Sequence, residues 1–182
     1  PVHIDRIDMR RLALPLVRPF ETSFGRTDSR EFLLVTVHAE GLAGWGECVA
    51  DATPYYSPET TVTAWHVIET FLAPRLLAAP VAHPGDLDAR FAPVRGHRMA
   101  KAAIEMATWD LWARLKGEPI GRLLGGTRDR IASGVSIGIA ASIPALLDRI
   151  EEELAAGCRR VKVKVKPGWD VTVVARVRER FP

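Results

Sequence analysis

Residues 160–170 read Arg-Val-Lys-Val-Lys-Val-Lys-Pro-Gly-Trp-Asp. Side chains alternate faces along a strand. Lys162, Lys164 and Lys166 therefore share one face, and Val161, Val163 and Val165 the other. A valine-lined face packs against a helix, which leaves the lysines facing water, a sheet edge or a site. The flanking residues give the context. Residues 131–139 (IASGVSIGI) predict a buried strand. Ser142 and Pro144 open a helix that runs through Ala156 and stops at Gly157. Asp170 caps a further helix over about Val171 to Arg180. Strand, helix, strand, helix at short spacing is the pattern of parallel βα units.

Towards the amino terminus the pattern is different. Residues 4–17 alternate loosely and predict a strand that weakens at Pro15. Residues 18–30 are polar, with Pro19 and Gly25, and read as a loop carrying Phe20 and Phe24. Those two rings either cover something or tuck back onto the core. Residues 31–39 (EFLLVTVHA) and AGWGECVA (43–50), joined by Glu40-Gly41, predict a hairpin. Asp51 to Pro58 is a second loop, with Ser57 as the cap of a helix over 59–77. Asp86 caps a short helix to Phe91. A long helix spans His97 to Lys116, closed by Gly117 and Pro119. An α+β region (1–127) thus precedes the start of an α/β region (128–182).

The 182 residues are 47% apolar and 26% charged, the balance of a soluble globular protein. A net charge of +3, from 25 basic and 22 acidic side chains, is too mild to suggest nucleic acid. No apolar run approaches a membrane span, and no secretory signal is visible, so the expected location is the cytoplasm. Cys48 and Cys158 fall in no ligand spacing and read as free thiols. His3, His38, His66, His83 and His97 form no HxH or HExxH pattern, which argues against metal ligation.

Two βα units do not make a stable parallel sheet. An eight-stranded barrel needs about 250 residues, and residues 128–182 supply 55. The chain therefore reads as part of a longer polypeptide that continues past Pro182, with a compact mixed-sheet protein as the alternative. In a barrel, strand ends meet at the carboxyl-terminal mouth, where active sites lie. Lys162 and Lys164 would both project there. Repulsion between close ammonium groups and burial both lower a lysine's pKa, and one brought to about 7–8 acts as a general base. Lys166, against Pro167-Gly168, would reach solvent at the rim. Lysines on an exposed strand also serve as protection against edge-to-edge aggregation, and that alternative stands. Ser136 is either a polar group at the mouth or a satisfied core hydroxyl.

Three stretches carry a resemblance. AAIEMATWDLWARLKGEPIGRLLGG (102–126) resembles the linker helix of the enolase superfamily, in its muconate-lactonizing subgroup. GWGECVA followed by PYYSPET resembles that subgroup's capping domain. KVKVKPGWD (162–170) is similar to the KxK strand of the o-succinylbenzoate synthase and N-acylamino acid racemase family. The resemblance implies an α+β capping domain followed by the first two βα units of a modified (β/α)7β barrel. It implies removal of a proton next to a carboxylate, with Mg²⁺ stabilising the enediolate.

By position, Lys164 matches the acid/base of that family and Lys162 the lysine that tunes and orients it. Phe20, Phe24 and Tyr56 match two capping loops over the substrate, and Ser136 a substrate contact. Asp51 stands where some relatives carry a bulky apolar residue. The family's acidic metal ligands and opposing lysine belong to later strands, expected beyond Pro182. This chain alone is therefore expected to bind no catalytic Mg²⁺ and to be inactive. The full-length enzyme is expected to be an o-succinylbenzoate synthase of menaquinone synthesis. An N-acylamino acid racemase, or another cycloisomerase or epimerase of the subgroup, is the alternative. Expected partners are a small carboxylate substrate and further copies of the enzyme, with no nucleic acid and no membrane. A binding module with a basic strand is the reading of a different class.

Overall fold

Three strands open the chain: β1 (Arg6–Thr22), β2 (Gly25–Ala39) and β3 (Leu42–Cys48), in the sheet order β1-β2-β3. The computed structural model describes residues 1–182. The β2–β3 hairpin matches the sequence reading, with Leu33 opposite Cys48 and Ala39 opposite Leu42. Residues 18–30 do not form the expected loop. Both strands continue through them to a tight turn, where the Thr22 hydroxyl donates to the Gly25 carbonyl at 3.1 Å. Backbone pairing sustains this arm without an apolar face, so periodicity does not reveal it. Pro15 and Pro19 are tolerated because β1 is an edge strand.

By packing, the chain divides into two units: residues 1–14 with 31–127, and residues 15–30 with 128–182. The division is discontinuous where the sequence suggests one break near residue 127. In the first unit, Leu33, Val35, Val37 and Ala39 of β2 are fully buried. They belong to a core that includes the apolar face of α4 (Arg98–Lys116). Small residues let α4 approach β3 closely. A Cβ on Gly44 would fall on the Ala107 carbonyl and on Leu111, and one on Gly46 on the Ala103 carbonyl. The outer edge of β3 is closed as well. The Trp45 amide donates to Asp110 at 3.0 Å, and Arg114 bonds the same carboxylate while lying 4.5 Å from the centre of the Trp45 ring. Gly117 ends α4 in the left-handed conformation, as a helix-terminating glycine does.

The helix expected over 59–77 is interrupted. It comprises α1 (Thr61–Val67), a π-helical turn (Ile68–Leu72) and α2 (Ala73–Leu77). Pro74 lacks an amide hydrogen, and the local i→i+5 bond from Ala73 to Ile68 absorbs the break. Its cap is Thr60 and not Ser57. Thr60 and Thr63 exchange backbone-to-hydroxyl bonds at 2.9 and 3.2 Å. Two shorter helices, α3 (Leu87–Phe91) and α5 (Ile120–Leu123), complete this unit. Asp86 does not cap α3 with its side chain; its carboxylate accepts the His83 amide instead.

In the second unit β4 (Gly134–Ile137) and β5 (Arg160–Val163) pair in parallel, with α6 (Ile143–Ala155) between them in sequence and α7 (Val171–Arg180) after. Both strands are shorter than their apolar runs. Ser142 and Asp170 cap α6 and α7 as the sequence indicates. Leu146, Ile150 and Val173 form the core here, and Val135, Val161, Val163 and Trp169 pack on it. No helix is long and apolar enough to cross a membrane.

Candidate active site

Register and alternation set the candidate side chains. Val135 pairs with Val161 and Ile137 with Val163, and all four pack on the core formed with α6 and α7. Ser136 and Lys162 are partners in the same ladder, one position out of phase, and both are exposed on the other face. Lys164 follows the last residue of β5. Its amide donates to the Ile137 carbonyl at 2.9 Å, which carries the ladder one bond further. Lys164 is half-buried, whereas Lys162 is exposed. The strand ends in a turn over Lys166-Pro167-Gly168-Trp169, with the Trp169 amide bonded to the Lys166 carbonyl at 2.8 Å and Gly168 at φ 79°. Proline followed by a left-handed glycine is the type II turn pattern, so Pro167-Gly168 fixes how the strand exits.

The hairpin arm reaches the same place. The Ile139 amide, just past β4, donates to the Glu21 carbonyl at 2.9 Å, and Phe20 is half-buried beside Gly138. Phe24 lies in the turn and is 73% exposed. Phe20, Phe24, Ser136, Lys162 and Lys164 thus lie in one unit. Tyr56 lies in the other, exposed beside Tyr55 in the loop between β3 and α1.

Two residues with structural influence here are invisible to sequence reasoning. Glu21 meets Lys166, with Nζ 3.1 Å from Oε1. Glu59 is buried, and its oxygens accept the Met99 and Ala100 amides at 2.9 and 3.1 Å. Glu59 therefore ties the Tyr56 loop to the start of α4, where His97 offers no side-chain cap. Its place just before α1 suggests a residue that serves that helix, and only the fold shows that it serves another.

A Mg²⁺ ion does not fit these residues. No group of three or more His, Cys, Asp or Glu side chains is placed to hold a metal, and the strand ends carry lysines and a serine. A hard divalent cation needs clustered oxygens. Pro182 itself follows α7 and Phe181 as exposed, irregular backbone and takes no part in the candidate site.

A capping α+β domain followed by the beginning of a βα array, with lysines at the strand ends, defines an enolase-type chain. Residues 6–125 match the family "Mandelate racemase / muconate lactonizing enzyme, N-terminal domain", and the chain belongs to that family. It is 49% identical over its whole length to an o-succinylbenzoate synthase of Geobacillus kaustophilus, of which it covers 48%. It is 44% identical to an N-succinylamino acid racemase of Thermus thermophilus, covering all of this chain and 49% of that one. Among solved structures, an enolase superfamily member from Listeria innocua superposes with a TM-score of 0.91 at 33% identity, over all of this chain and 49% of the other. The chain spans about half the length of the curated relatives it matches.

Proposed function

We propose that this chain supplies the capping region and one acid/base lysine of an enzyme that removes a proton next to a carboxylate. The favoured activity is o-succinylbenzoate synthase. The observation that carries this reading is the placement of Lys162 and Lys164. Lys162 lies on the face opposite the α6–α7 core, and Lys164 follows the last residue of β5 at the carboxyl end of the parallel pair, where the Phe20 arm also lies. In a barrel the carboxyl ends of the strands form the mouth at which active sites lie.

In this proposal the Lys164 amine takes the α-proton, and the electron pair moves into the carboxylate to give an enediolate. The enediolate collapses by expelling the β-hydroxyl, which takes the proton from the Lys164 ammonium and leaves as water. Lys162 orients Lys164, Ser136 bonds the substrate, and Phe20 and Phe24 exclude water from it. The 182-residue chain alone is proposed to be inactive.

N-succinylamino acid racemase is the second reading, supported by the 44% identical relative of that name. There Lys164 would serve one face of the α-carbon and a second acid/base the other. The test is Lys164→Ala in the full-length polypeptide, assayed for dehydration and for racemisation. Loss of about 10²–10⁴-fold is expected in whichever activity the wild type shows, together with loss of deuterium wash-in from the face of the α-carbon that Lys164 serves. Near wild-type turnover would overturn the assignment.

A further inference from the structure

Lys166 is the one lysine of the run whose side chain has a carboxylate partner in the structure, and that partner is 145 residues away in sequence. We propose that Lys166, Glu21 and Gly138 form a latch that seats the β1–β2 hairpin tip on the end of β4 and so fixes Phe20 beside the lysine face. The inference rests on the functional reading above in assigning that face to the substrate.

Three interactions converge on Glu21. Its carboxylate meets the Lys166 ammonium at 3.1 Å. Its carbonyl accepts the Ile139 amide at 2.9 Å. Its backbone lies against Gly138, where a Cβ would stand 3.0 Å from the Glu21 nitrogen, 3.1 Å from its oxygen and 3.4 Å from Phe20 Cδ2. A side chain at 138 would push the arm away. A second ion pair holds the same arm, Arg18 to Glu152 of α6 at 3.4 Å, and Arg149 steadies Glu152 at 2.7 Å.

β5 ends at Val163, so the seat of Lys166 follows from its own contact with Glu21 and not from strand alternation. The run thus divides its labour: Lys162 and Lys164 serve the site, and Lys166 holds the arm that closes beside it. The Lys166–Glu21 pair is open to water on both sides, with side chains 43% and 33% exposed. Such a pair adds little stability, and its value lies in orientation. Lys166, Glu21 and Gly138 are therefore positioning residues.

The test uses the full-length polypeptide with Lys166→Met, Glu21→Gln, the double variant, the charge swap Lys166→Glu with Glu21→Lys, and Gly138→Val. Two readouts are taken: amide hydrogen exchange over residues 18–28, and KM against kcat. Each single charge removal should speed exchange in the arm and raise KM about two- to five-fold, more than it lowers kcat. The double variant should be no worse than either single, and the swap should recover most of the loss. Gly138→Val should exceed them all. Unchanged exchange over 18–28 in Lys166→Met and Glu21→Gln, or additive single effects with no recovery in the swap, would overturn the latch. The exchange readout needs no turnover, so it decides the latch even if Lys164→Ala leaves activity intact and the functional reading fails.

Discussion

The Met99 amide donates a 2.9 Å hydrogen bond to the carboxylate of Glu59, forty residues earlier in the chain. The Ala100 amide donates to the other oxygen at 3.1 Å. The first turn of α4 thus receives its cap from a distant loop, because His97, at φ 49°, contributes no side-chain bond. Removing that carboxylate strands two amides in a buried place. Glu59→Ala is expected to cost about 2 kcal/mol, and Glu59→Gln, which keeps one acceptor, about half as much. Urea midpoints measure both. A shift within error for the alanine variant would show that water or another group replaces the cap.

Gly46→Ala tests the β3–α4 approach. The added carbon would meet the Ala103 carbonyl and the Ala107 amide, both backbone, so no side chain can rotate aside. A loss of about 1–3 kcal/mol or more is expected. Gly25→Ala, with nothing within 4 Å of the added carbon, serves as the control and should stay within about 0.5 kcal/mol. Equal stability of the two variants would refute the account of α4 packing.

The acid limb of stability should depend on Glu31. The hydrogen bond from Arg11, at 2.7 Å, holds its carboxyl below the ordinary value of 4.5; partial desolvation opposes this, and the Thr61 hydroxyl adds to it. A depressed folded-state pKa means that the unfolded chain binds the proton first as pH falls. The contribution is therefore complete above the ordinary value and is lost as pH drops through the lower, folded one. Arg11→Met should flatten the fall in urea midpoint below about pH 4.5 and leave its shape near neutrality unchanged. A parallel displacement at every pH would assign Arg11 a packing role instead.

The sequence revealed those elements whose causes are local. The β2–β3 hairpin follows from alternation around Glu40-Gly41, and α6 and α7 from Ser142 and Asp170 at their caps. The extension of β1 and β2 through residues 18–30 was hidden, because pairing of two largely polar arms leaves no periodic apolar signal. The π turn before Pro74 was hidden for a different reason: proline marks a break without saying how the helix absorbs it. At the candidate site, the alternation of Val161, Lys162 and Val163 was legible from period two, whereas the pairing of Ser136 with Lys162 comes from the register of β4 on β5. The partners of Glu21 and Glu59 were not, since each lies forty or more residues away and depends on tertiary placement.

The division of the chain has a consequence for synthesis. The arm of residues 15–30 emerges from the ribosome early, yet it packs with residues 128–182. Glu21 meets Lys166 only after 145 further residues have been added. At about 5–20 residues per second, that interval is roughly 7–30 s. Throughout it, Phe20 has no Gly138 to lie against. The arm is thus made early and seated late in translation.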